Sequence, residues 1–124
     1  MNHMNQQNDG AVYTIRIMKA AQTDIRETHK YIANDLQNPV AAVRRIKDIE
    51  ESIRSLMKMP SRFPLVPDKY LASKGIRMIV VKNHIIFFAV RNEIKAISIL
   101  RVLYARRDWM RILRINEQEM HESN

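Results

Sequence analysis

The run Ile97 to Trp109 reads Ile-Ser-Ile-Leu-Arg-Val-Leu-Tyr-Ala-Arg-Arg-Asp-Trp and holds the densest chemistry in the chain. A β-rich stretch carrying Arg101 ends at Tyr104 and opens into Arg106, Arg107, Asp108 and Trp109. Guanidinium groups, a phenol and an indole therefore gather at the exit of a buried strand. Guanidinium forks match phosphates and carboxylates bidentately, so the cluster points to a nucleic acid or an acidic protein.

The wider charge pattern agrees. The 124 residues carry a net charge of +8. From Lys69 to Arg114, eleven cations (Lys69, Lys74, Arg77, Lys82, Arg91, Lys95, Arg101, Arg106, Arg107, Arg111, Arg114) face only Glu93 and Asp108. The first 68 residues are near balance, and Glu117, Glu119 and Glu122 make the end acidic. Such segregation attracts polyanions or acidic partners through a field that salt weakens. The plain alternative is an ordinary solvated basic surface.

Other chemistries are excluded or unsupported. With no cysteine, neither disulfides nor thiolate metal sites can form. His3, His29, His84 and His121 are scattered without ligand spacing, so neither a metal nor a cofactor is expected. The densest apolar run, Ile85 to Val90, is strand-sized and too short for a bilayer, and the N-terminus lacks a signal pattern. A cytoplasmic protein without a membrane partner is expected.

The elements that position these residues follow from periodicity. Residues 1–10 are polar and Asn/Gln-rich, predicting a disordered extension. Val12 to Met18 alternates as a half-buried strand, with Tyr13, Ile15 and Ile17 on one side. Ala21, Ile25, Thr28, His29, Ile32 and Leu36 then trace an amphipathic helix. Gln37-Asn38-Pro39 breaks it, Asn38 serving as N-cap and Pro39 as the first helical residue. A second helix has its seam at Val43, Ile46, Ile49, Ile53, Leu56 and Met57, so the short link makes an antiparallel hairpin. Pro60, Pro64 and Pro67 predict an extended loop from Met59 to about Ser73.

Three strands follow: Ile76 to Val81, His84 to Val90 (apolar on both faces) and Ile94 to Tyr104. Lys82-Asn83 is a tight turn with Asn able to take positive φ. A final helix starts near Asp108, its cap, and turns Trp109, Ile112 and Leu113 inward. The class is α+β in the order β-α-α-β-β-β-α, the hairpin packed on a small, mainly antiparallel sheet. One domain spans 11–115, followed by a polar tail at 116–124. Helices on one sheet face would leave the other face, or the rim, for the cations.

Several landmarks are shared with a known family. They are Asp24-Ile25, Tyr31-Ile32, Asn38-Pro39, Ala41-Ala42, Leu56, Pro60, Gly75-Ile76-Arg77, Val81 to Phe88, and Ile99 to Trp109. In this order and spacing the chain, from Val12 to Trp109, resembles the RelE/ParE superfamily of toxins from type II toxin-antitoxin modules. The resemblance implies a growth-inhibiting toxin, of the kind tied to plasmid stabilisation, held inactive by an acidic antitoxin. Operator DNA would be met only indirectly, through that antitoxin.

Two targets are implied. ParE-like members poison DNA gyrase and have no nuclease centre of their own. RelE-like members are endoribonucleases that cut mRNA on the ribosome without a metal. A nuclease here would rely on Tyr104, Arg77 and His84, since proton transfer and cationic stabilisation are both needed. Against it, Ile85-Ile86-Phe87-Phe88 lacks the arginine that such nucleases carry, and Trp109-Met110-Arg111 lacks their later tyrosine. The Arg-Arg-Asp ending is closer to the ParE side, with target contacts at Arg77, Arg101, Arg106, Arg107 and Trp109. A third alternative is a non-toxic basic domain that binds nucleic acid.

Plainer roles compete at each position. His84 would be a partly exposed strand histidine, Tyr104 a packed ring, and Trp109 a core residue. Arg101, inside an apolar run, would pair with Asp24 or Asp108.

Overall fold

The computed structural model describes residues 12–123, so the extension predicted at 1–10 lies outside the described residues. Strand β1 (Thr14–Ile17) alternates as its sequence predicts, with Ile15 and Ile17 half-buried against the core. Helix α1 (Lys19–Lys30) follows and widens into a π-helical turn at Tyr31–Asp35. Gln37 turns the corner in the left-handed region at φ 52°.

Helix α2 (Pro39–Arg54) begins as expected. The Asn38 side chain accepts the Ala41 amide at 3.1 Å, and Pro39 opens the first turn without a donor to satisfy. Asn38→Ala should cost about 1 kcal/mol in thermal unfolding, the usual value of a lost N-cap. An unchanged midpoint would mean the cap is idle.

The four strands lie in the order β1-β4-β3-β2. Strands β2 (Ile76–Val81), β3 (His84–Arg91) and β4 (Ala96–Tyr104) are antiparallel, and β1 joins β4 in parallel. This is the expected α+β class with a mainly antiparallel sheet. The hairpin covers one face, where Ala21, Ile49, Ile53 and Leu56 pack on Ile86, Phe88, Ile97, Ile99 and Val102. Fully burying a side chain such as Leu56 contributes about 1.5–3 kcal/mol. The seam is rotated from the expected one. Ala42, Ile49 and Ile53 point inward, whereas Val43, Met57, His29 and Leu36 face solvent.

The opposite face is covered as well, so it cannot present the cations. Helix α3 (Lys69–Ser73) and helix α4 (Trp109–Ser123) close over it. Val66, Leu71, Ile76, Ile85, Phe87, Leu100, Leu103 and Leu113 form this second core. Strand β3 is buried on both sides, as its continuous apolar run requires.

Four local expectations change. The proline-rich stretch holds a short helix, because Asp68 caps α3 by accepting the Leu71 amide at 2.9 Å. Gly75, at φ 78°, ends that helix in a conformation glycine adopts without strain. In the β2–β3 turn the positive φ falls on Lys82 (56°) rather than on Asn83. The β3–β4 link is a 3₁₀ turn at Asn92–Ile94, with Lys95 at φ 51°, so β4 starts two residues late. At the C-terminus, α4 runs past 115 to Ser123, so the boundary expected there falls inside a helix.

Candidate functional site at the rim of the sheet

Strand β4 carries an extra residue. Phe87 pairs with Arg101 while Phe88 pairs with Ile99, leaving Leu100 as a β-bulge. The bulge sends Leu100 into the second core and returns Val102 to the first. Arg101, between them, meets Asp24 of α1. Its Nε and Nη2 donate to the two carboxylate oxygens at 2.7 and 2.8 Å, and the Val102 amide donates to Oδ2 at 2.9 Å. β1 pairs with β4 only as far as Ile99, so Asp24 satisfies an amide that the sheet leaves open. The Asp24 hydrogen bonds raise the Arg101 pKa above its usual value. Both side chains are largely buried, at 18% and 8% exposure. Arg101 is thus committed to a structural pair, which corrects its expected availability for target contact.

His84 departs further from expectation. The ring is wholly buried, not partly exposed. Tyr104, its cross-strand partner, lies over it with centroids 4.2 Å apart. Arg45 of α2 places Nη1 3.4 Å from Nδ1, and Nε2 has no protein partner. Burial, helped by the Arg45 charge, lowers the His84 pKa to about 4. The imidazole is therefore neutral at neutral pH and cannot reach a substrate.

Tyr104 is half-buried between His84 and Tyr31, whose ring meets it edge-on at 6.3 Å. A narrow cleft of about 110 Å³ opens beside the two phenols, lined also by Glu27, Thr28 and Arg107. Arg106 and Arg107 are exposed in the turn after β4. The Ala105 amide donates to the Asn83 carbonyl at 2.8 Å, holding this turn against the β2–β3 turn that carries Lys82.

The remaining candidates lie elsewhere. Arg77 donates from Nη1 to the Phe63 carbonyl at 2.6 Å. Its β3 partner is Phe88, four residues from His84, or about 13 Å of strand. Trp109 packs on Phe87 in the second core, across the sheet from Tyr104, with centroids 5.1 Å apart. The structure thus unites His84 and Tyr104 with Arg106 and Arg107, but not with Arg77 or Trp109. Arg45 was not singled out from the sequence, and Tyr31 only as a family landmark, because helix periodicity gives no hint of a partner across the hairpin. Among the described residues no group of His, Asp and Glu could hold a metal ion.

The model of the ParE toxin of type II toxin-antitoxin systems matches residues 15–109. The chain belongs to the ParE toxin family. Its fold is shared with solved structures of the wider RelE/ParE superfamily. One, from a chromosomal ParDE toxin-antitoxin system of P. aeruginosa, is 20% identical with a TM-score of 0.62. The alignment covers 75% of this chain and 96% of that one. Another, from the toxin-antitoxin complex RelBE2 of Mycobacterium tuberculosis, is 16% identical with a TM-score of 0.54. There the coverage is 78% and 95%. No curated protein matches. In this ParE-family chain the matched span includes both rim turns and ends as α4 begins.

Proposed function

We propose that this ParE-family toxin arrests growth by binding DNA gyrase, and that a cognate acidic antitoxin neutralises it. The observation carrying this reading is that the groups a nuclease would need do not converge. His84 is buried and neutral, Arg77 is bound to a backbone carbonyl a strand-length away, and Arg101 is bound to Asp24. What the rim offers instead is exposed arginine beside a rigid aromatic pair, a composition suited to binding a protein. The family match supports the same side, and the two solved toxin-antitoxin assemblies support an antitoxin partner. Cytoplasmic action is part of the proposal, and no described helix is long and apolar enough to cross a membrane.

The test is DNA supercoiling by purified gyrase. Wild-type protein should inhibit it, and Tyr104→Phe should keep that inhibition within about threefold because only a hydroxyl is lost. Arg106→Glu with Arg107→Glu should weaken inhibition by tenfold or more, as charge reversal at an interface does. Unimpeded supercoiling, together with mRNA cuts in the ribosomal A site mapped by primer extension, would overturn the reading for the nuclease. Normal growth on overexpression would instead leave the non-toxic domain.

A further inference from the structure

Arg91, Arg101, Arg111 and Arg114 each have a carboxylate partner, respectively Glu93, Asp24, Asp108 and Asp68. The cations at one end of the sheet do not. Arg45 comes from α2, Lys82 from the β2–β3 turn, and Arg106 and Arg107 from the turn after β4. None of these four forms an ion pair with a carboxylate among the described residues. The Ala105–Asn83 hydrogen bond fixes the two turns side by side, so Lys82, Arg106 and Arg107 share one edge. Arg45 is brought to the same end by His84, which Tyr104 covers.

We infer that this end of the sheet, framed by Tyr31, Arg45, Lys82, Arg106 and Arg107, is a docking surface for an acidic segment of a protein partner. It deepens the proposed binding function by naming a surface, but it rests on charge and geometry alone. Unpaired cations converging from three separate segments create a local positive field at this end of the sheet. Tyr31 is exposed, projects from a π-helical turn and is braced edge-on by Tyr104, giving a rigid aromatic wall beside Arg107. π-Helical turns often mark functional positions, and tyrosine with arginine is the pairing that dominates protein interfaces.

Protein rather than nucleic acid is favoured by two features of the same cleft. His84 covers one face of Tyr104 and the Tyr31 ring abuts it, so Tyr104 is not an open platform for a stacked base. Glu27 and Asp24 line the cleft and would repel a continuous phosphate backbone, whereas a peptide can space its carboxylates around them.

The probe is a fluorescent ten-residue peptide of alternating glutamate and leucine, with a ten-nucleotide uridine RNA for comparison. Fluorescence polarisation with the full chain at low salt should show peptide binding that weakens as salt rises. Arg106→Glu with Arg107→Glu should raise the Kd about tenfold or more, and Tyr31→Ala about fivefold. Arg44→Glu with Lys47→Glu, on the outer face of α2, should stay within twofold. Lys82→Gln serves as a milder variant if charge reversal lowers the melting temperature. Equal loss from the α2 pair, no loss from the rim pair, or tighter binding of RNA than of peptide would each overturn the proposal. Gyrase takes no part in this measurement, so failure to inhibit supercoiling leaves its result standing.

Discussion

Replacing Arg101 with methionine should destabilise the protein by about 3–5 kcal/mol, the range seen when one partner of a buried ion pair is removed. The Asp24 carboxylate would keep only the Val102 amide, having lost both guanidinium hydrogen bonds. At 8% exposure it cannot recover them from water. Asp24→Leu should be at least as damaging, because it strands a guanidinium and an open strand amide together. Pairing Asp24→Leu with Arg101→Met should restore part of the loss, since two apolar groups leave no orphan charge. Urea unfolding of the four proteins measures this as a double-mutant cycle. A single-variant loss below about 1 kcal/mol would show that the pair is solvated and the edge of β4 held by something else.

The second large effect concerns acid. His84 has a folded pKa of about 4 against an ordinary 6.5. Its value is lowered, so the unfolded chain binds the proton more readily than the folded one. Stability from the neutral ring is therefore complete above pH 6.5 and declines as pH falls from there to about 4. Below that the loss is constant. The shift corresponds to about 3 kcal/mol. In His84→Leu the stability curve should run nearly flat across this window while the wild type falls. The carboxylates act lower down. Asp68, held below the usual carboxylate range by the Leu71 amide and by Arg114, gives up its contribution only as pH drops under 3.8. Parallel curves for the two proteins between pH 7 and pH 4 would contradict the burial of the ring.

The sequence made some of this legible because the signals were local. Asn38-Pro39 and Asp108 announced helix starts through cap chemistry, and both carboxylate and amide oxygens do accept the expected amides. The apolar run after His84 announced a strand covered on two faces, and β3 is one. What failed depended on distant partners. His84 reads as an exposed strand residue until Arg45 and Tyr104 close over it, and nothing near position 84 says that they will. Arg101 offered Asp24 or Asp108, and only the fold chooses Asp24 across 77 residues of chain. The prolines near 64 and 67 hid α3, whose single turn depends on one capping carboxylate. The polar end past 115 looked like a tail because its helix has few apolar residues to mark it. The site followed the same rule: the arginines were visible as residue types, while their freedom or commitment was not.

The parallel pairing of β1 with β4 has a consequence for the order of assembly. The first strand to leave the ribosome waits for the last one to be made, and the hairpin between them has no complete floor until then. Contacts this remote in the chain form late and slowly. The rim turns, Arg106 and Arg107 among them, emerge in the same final stretch. The sheet therefore closes only once the chain has been made as far as Tyr104, and the rim takes shape with it.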